Sequence, residues 1–385
     1  MPTNDIQAIN PGGSYNIIQT VYQLSRFSNL GDGLTGSASD IQTQLAKLID
    51  GKLSANSQQL GTWTRVWGPC VYQDAASNSN VADNVLYVAY NTQANCYVVA
   101  IAGTNGNSNY DAKTLDDNVS TLIAFPFGIT PTNSTMPPGA ISRGNVSQGA
   151  ALGTTNLLNL QDTTGSVQSF LNAKASSNAT LIFTGHSLGG SLSPTLAYWL
   201  YPTAFDTARW GHQVFVLPTA APATGDQGFV NGFKAIFPPK ALSGIANYGF
   251  FNQVIWNKFD VVPHSWTNLE KVLPYNAEND VIWKGDDGSF QTLYGEIDDA
   301  FAATAIYLFV QSKYNLIPTP NPYVRLPAQM FIPSQPPPPV TDLNSFNNAM
   351  AQEHLQAYDS FFGVPSNEKK MKTIVSTPQA AAAAI

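Results

Sequence analysis

The 385-residue sequence is short of charge: Asp, Glu, Lys and Arg together make only 11%, against roughly 25% in an average soluble protein. Asn, Thr, Ser and Gln fill much of the deficit. Such a surface is polar but weakly charged, a composition that favours an extracellular enzyme, with an intracellular one also compatible. Basic residues are scarcer than acidic ones, 18 against 25, which leaves a net charge of −7. No basic stripe is present, so a nucleic-acid partner is not expected. The one tight basic cluster, Lys369, Lys370 and Lys372, reads as a solvated tail. Long apolar runs are missing too. The best candidate, Ala300 to Val310, is far below the ~20 residues that span a bilayer. The opening MPTNDIQAIN has neither a basic nor an apolar leader segment, so no signal peptide is visible. Cysteines number two, Cys70 and Cys96, both in strand-like segments. A disulfide is open to them, but two buried thiols is the preferred reading, and two cysteines alone do not make a metal site.

Apolar residues make up 43%, enough for a large core. Helical spacing marks residues 14–28 and 39–53. Three strand candidates follow at 64–73, 85–90 and 96–102, separated by loops rich in Asn, Asp and Ser. A helical region covers 149–173, broken near 162–165. Then come a strand at 179–184, a helix at 191–201, strands at 213–217 and 251–257, and a last helix at 345–361. Residues 265–340 read as an irregular insertion with one helix, 293–314, and a stiff proline run, 336–339. There is no internal repeat. Strands alternating with helices predict an α/β fold with a mostly parallel sheet covered on both faces. In such sheets sites form at the carboxyl ends of the strands. The whole chain, 1–385, reads as one domain.

The informative segment is LIFTGHSLGGSLSPTLAYWL, Leu181–Leu200. It reads as strand, then Gly185-His186-Ser187-Leu188-Gly189, then helix. A G-x-S-x-G pattern alone is weak, but between a strand and a helix it is a nucleophile elbow. Ser187 must sit on a sharp turn that lifts its oxygen clear of the sheet. Gly185 and Gly189 allow strand and helix to approach closely. The Leu188 N–H at the helix start faces an oxyanion. His186 is expected to be a structural neighbour that points away, and Gly190 extends the turn.

A serine hydroxyl needs a base, and the chain offers four histidines: His186, His212, His264 and His354. The order expected of this arrangement is Ser, acid, His. Asp260, in NKFDVVPH just after a strand, is the best acid. His264 shares its short loop and would struggle to meet both Asp260 and Ser187. His354, in AQEHLQAY, arrives from a separate segment and is the expected base. The strand CYVVAIA ends in Gly103-Thr104, where the Thr104 N–H could oppose that of Leu188. No cluster has metal-ligand spacing and no phosphate-binding glycine loop occurs, so neither a metal nor an organic cofactor is expected.

Together these residues resemble the class 3 lipases, the family of the filamentous-fungal lipases. Gly103-Thr104, the elbow Gly185–Gly190, Ile141–Ala150, Asp260–His264 and Glu353–Tyr358 carry the likeness. It spans roughly 61–268 and resumes near 346–363. The resemblance implies an α/β-hydrolase fold, carboxylic-ester hydrolysis and Ser187, Asp260 and His354 as a triad, with Thr104 and Leu188 at the oxyanion hole. Ala102 stands where the family usually carries Arg. The family also implies a lid, here residues 105–137, with the apolar island Leu122–Ile129 either covering the site or packed as an anchor. The implied partner is a lipid ester met at a lipid–water interface; the sequence does not set the oligomeric state. A phospholipase A or feruloyl-type esterase is the alternative substrate reading, and a catalytically silent lipid-binding protein the alternative of another class.

Overall fold

The computed structural model describes residues 9–77, 80–128, 142–245, 247–269, 275–276, 281–282 and 290–366. The basic cluster at Lys369–Lys372, the end of the apolar island at Ile129 and the start of the segment Ile141–Ala150 lie outside the described residues.

Two amphipathic helices open the described chain, α1 (Ile17–Ser28) and α2 (Ala38–Ala55). Each begins at a reciprocal capping box, Asn16 with Gln19 and Ser37 with Asp40, which satisfies helix N–H groups that have no intrahelical acceptor. Then come strands β1 (Thr64–Tyr72), β2 (Asn84–Asn91) and β3 (Cys96–Ile101). Two short strands follow, β4 (Leu122–Ala124) and β5 (Asn145–Ser147), and then helices α3 (Gln148–Asn159) and α4 (Val167–Lys174). The elbow joins β6 (Thr180–His186) to α5 (Leu188–Leu200). The remaining principal elements are β7 (Val214–Thr219), α6 (Gln227–Ile236), β8 (Val254–Asn257), α7 (Ala300–Tyr314), β9 (Ala328–Phe331), α8 (Leu343–Ala351) and α9 (Ala357–Phe362).

Strands β1, β2, β3, β6, β7, β8 and β9 form one seven-stranded sheet in that order. The first three pair antiparallel and the rest parallel. Strand alternation splits the core into two layers. Val99 and Ile101 of β3 face one with the buried side of α5, while Cys96, Val98 and Ala100 face the other with α1 and α2. A residue period of two across a pleated strand produces this division. It also separates the cysteines. Cys70 lies in the first layer and Cys96 in the second, and both are free, buried thiols. Burial pushes the Cys70 thiol up to about 12, so neither resembles a reactive thiolate.

One feature differs from expectation, and a second decides between two readings. The stretch 265–340 is not wholly an appendage, because β9, within it, is the edge strand of the main sheet and pairs in parallel with β8. The remainder builds a third cluster, in which Ile306 and Val310 of α7 pack with Val119, Val261 and Phe346. Lys313 on the same helix is 5% exposed, and its ammonium meets Asp117 Oδ1 at 2.6 Å. The apolar island is the second. Its described part packs as an anchor and not as a cover: Phe125 and Phe127 are 0% and 1% exposed. Phe125 stacks on Tyr198 at 4.8 Å and meets Phe229 edge-on at 5.2 Å. Strand β4, paired to β5, delivers the two rings into the core.

Candidate functional site

The turn at Ser187 has the strain an elbow requires. Its φ is 60° and ψ −127°, a region rarely adopted by a residue with a side chain. Glycine makes the crossing possible: a Cβ on Gly185 would stand 2.1 Å from the Gly189 carbonyl oxygen, and one on Gly189 would stand 2.5 Å from that of Ile101. Gly190 sits equally close to the β7 backbone. The Ser187 N–H is committed to Thr219 O at 3.1 Å, which ties the elbow to β7. Leu188 is the first residue of α5, so its N–H has no acceptor within the helix.

Asp260 follows the carboxyl end of β8 and is fully buried. His354 lies on a π-helical turn, Gln352–Gln356, between α8 and α9. Its Nδ1 donates to both oxygens of Asp260, at 3.0 and 2.9 Å. That bond fixes the tautomer and leaves Nε2 as the basic nitrogen. Two further groups hold the same carboxylate. The Val262 N–H donates to Oδ1 at 3.0 Å, and the Tyr358 hydroxyl donates to Oδ2 at 2.8 Å. Tyr358 in turn accepts the Asn257 N–H at 2.9 Å. Burial, then the Asp260 charge, pushes the Tyr358 hydroxyl well above its ordinary range, so it is a donor at every working pH.

His186 does not simply point away. Its Nε2 donates to the His354 carbonyl oxygen at 2.7 Å, and Nδ1 accepts from the Thr219 hydroxyl at 2.9 Å. Burial, with the charges of His354 and Arg26 added, holds it well below the usual histidine range. It is a neutral prop beneath the segment that carries His354. Beside it Asn257 Nδ2 donates to the Glu353 carboxylate at 2.7 Å and to the Glu353 carbonyl at 2.9 Å. His264 is held by a different set of contacts. It follows Asp260 on a short 3-10 turn, donates from Nε2 to Lys258 O at 3.1 Å and meets Trp256 edge-on. His212 lies apart, beside the Thr207 hydroxyl.

Ser187, His354, His186, Gly103 and Thr104 line one cavity of about 60 Å³. Arg26, Asn29 and Asp32, from the C-terminal end of α1 and the turn beyond it, complete one wall. That volume takes a few waters, and Ser187 is 8% exposed. The Thr104 hydroxyl donates to Asp116 Oδ2 at 2.8 Å, which orients the turn after β3. Burial pushes the Asp116 carboxyl up to about 7; the Thr104 bond and Lys313 oppose the rise, and Asp117 adds to it.

Sequence reasoning missed four participants: Asp116, Tyr358, Asn257 and the α1 wall. Tyr358 left a signal, since it stands four residues after His354, on the same helical face. Asp116 stands 12 residues from Thr104 and Asn257 stands 101 from Tyr358, spacings that follow no local rule, and the α1 wall left no signal either. Among the described residues no group of three His, Cys, Asp or Glu side chains could hold a metal ion, and no helix is long and apolar enough to cross a membrane.

Residues 98–269 match the family model described as Lipase (class 3). Among solved structures, M37 lipase is similar at 23% identity over 91% of this chain and 93% of that one, with a TM-score of 0.62. That likeness bears on the fold: the chain has the α/β-hydrolase architecture nearly end to end. The LIP2 lipase of Yarrowia lipolytica is 17% identical over 63% of this chain and 73% of its own, with a TM-score of 0.42. No curated protein matches the sequence.

Proposed function

Taking the chain as a carboxylic ester hydrolase that shares its central segment with the class 3 lipases, we propose that it cleaves lipid esters through an acyl-enzyme on Ser187. His354 is the general base and Asp260 the carboxylate that holds it. The observation that carries this reading is the bond from His354 Nδ1 to Asp260 in the cavity wall that contains Ser187. An imidazole held this way takes the Ser187 proton on Nε2 as the hydroxyl attacks the ester carbonyl carbon. The carbonyl oxygen becomes the oxyanion facing the Thr104 and Leu188 N–H groups. His354 then returns the proton to the leaving alcohol, and water releases the acid by the same steps in reverse order.

The substrate reading is an acylglycerol, met at a lipid–water interface. Because the cavity holds only about 60 Å³, a long acyl chain needs the wall to open first. The test is labelling by a fluorophosphonate together with turnover of p-nitrophenyl esters, triacylglycerols, phospholipids and feruloyl esters. Wild-type protein should label and turn over esters, and Ser187→Ala should do neither. Labelling that persists in Ser187→Ala removes the nucleophile assignment. Absence of turnover in the wild type leaves a lipid-binding protein.

A further inference from the structure

The wall supplied by α1 lies outside the residues that match the family model, which begin at 98, yet it touches the reaction centre. Asn29 starts the short 3-10 turn after α1, and its own N–H closes the helix on the Arg26 and Phe27 carbonyls. A polar residue there would ordinarily be only a helix end. Its side chain does something more specific: Asn29 Oδ1 accepts the Gly103 N–H at 3.3 Å. A backbone N–H can only donate, so the bond assigns the amide oxygen, and not the NH2, to the Gly103 N–H. A Cβ placed on Gly103 would lie 2.7 Å from His186 O, 3.2 Å from Ser187 Cβ and 3.4 Å from Asn29 Nδ2. Only glycine leaves that space open, and Asn29 borders it.

The base of Asn29 is rigid. On α1, Gln19 Nε2 donates to Phe362 O at 2.8 Å and the Tyr22 hydroxyl to Asp359 Oδ1 at 2.7 Å. From β2 the Tyr87 hydroxyl donates to Leu24 O at 2.7 Å. The helix is thereby clamped to both the sheet and the C-terminal helix that follows His354.

We propose that Asn29 is a positioning residue for the oxyanion site: by holding the Gly103 N–H it fixes the Ala102–Gly103 peptide, and so anchors the turn one peptide before the Thr104 N–H that faces the oxygen that becomes charged. Thr104 is then fixed from two sides, by Asp116 through its hydroxyl and by Asn29 through the preceding peptide. The inference rests on Ser187 as nucleophile and Thr104 as oxyanion donor. A donor that is present but misaimed loses most of its worth, because its contribution depends on alignment with the developing charge.

The experiment compares Asn29→Ala and Asn29→Leu with wild type on a soluble p-nitrophenyl ester, all rates being normalised to sites titrated by a fluorophosphonate. Both variants lose the acceptor, and only one keeps the bulk. The expected result is a fall in kcat of about 10-fold or more in both, with KM changed less than about 3-fold, as for loss of an interaction made only in the transition state. Affinity for a trifluoromethyl ketone, which forms a tetrahedral oxyanion adduct on the serine, should weaken by a similar factor. A merely structural Asn29 would lower the titratable fraction and leave kcat per site and ketone affinity unchanged; that result overturns the inference. A loss confined to Asn29→Leu also overturns it, since bulk and not the hydrogen bond would then be the cause. If Ser187→Ala titrates as well as wild type, the nucleophile reading falls instead, independently of Asn29.

Discussion

Tyr358 and Asp260 meet hydroxyl to carboxylate at 2.8 Å, and the oxygen they share also accepts from His354 at 2.9 Å. One carboxylate oxygen therefore serves two donors, and Tyr358 holds it in register with the imidazole. Tyr358→Phe removes that donor and also strips the Asn257 N–H of its acceptor. Leaving a buried donor unpaired costs about 1–3 kcal/mol of stability. The kcat should fall roughly 10-fold through a less well oriented base. Paired measurements of kcat and of the urea midpoint test this, and an unchanged kcat would limit Tyr358 to a stabilising role.

His354 and His264 should separate cleanly. His354→Ala removes the nitrogen that faces Asp260, and kcat should drop by at least ~10³, close to the effect of Ser187→Ala, because members of a catalytic unit do not contribute additively. His264→Ala disturbs a bond to Lys258 O and a ring contact with Trp256, and should cost about 10-fold or less. The opposite ranking would refute the proposed triad.

Asp116 predicts a definite pH dependence of stability. Its folded carboxyl sits at about 7, above the roughly 3.9 of a solvated aspartate. Between those two values the folded state holds a proton that the unfolded chain releases. Stability from this group is therefore full below pH ~4 and is lost as pH rises to about 7. Asp116→Asn keeps an acceptor for the Thr104 hydroxyl but cannot ionise. Relative to wild type it should gain stability on going from pH 5 to pH 8, by an amount on the order of a few kcal/mol at most. Denaturant midpoints at the two pH values give the answer, and a constant difference between the proteins would contradict it.

Phe125→Ala should act on stability first. The ring is fully buried between Tyr198 and Phe229, and removing such a ring costs about 3–5 kcal/mol. Per folded molecule, activity on emulsified long-chain and soluble short-chain esters should then fall in equal measure. A selective loss on emulsions would restore a covering role to the segment.

The elbow and the strands were legible because they follow local rules. Alternation placed β1, β2 and β3 to within about two residues, and G-x-S-x-G between strand and helix located Ser187 without any partner in view. The island at Phe125 shows the limit: its apolarity is plain, but whether it covers a site or fills a core depends on Tyr198 and Phe229, far along the chain. Strand β9 was hidden for another reason. The five residues between Pro327 and Pro333, four of them in the strand, carry too little alternation to register, and their pairing with β8 is a product of tertiary structure. Asn29 reads from sequence only as the end of an amphipathic helix, since its acceptor role depends on Gly103, 74 residues on.

The pair formed by Lys313 and Asp117 gives the long C-terminal excursion a claim on the reaction centre. Asp117 adjoins the residue that grips the Thr104 hydroxyl, and Lys313 reaches it from a helix whose buried side also covers Val261, next to Asp260. Trimming the chain toward a minimal hydrolase by excising that helix would take from Asp117 its buried partner at 2.6 Å and leave it the exposed Lys113 ammonium at 3.2 Å. It would uncover apolar surface at the same stroke. The excursion is thus a brace rather than an ornament: losing it should loosen the turn that carries Thr104.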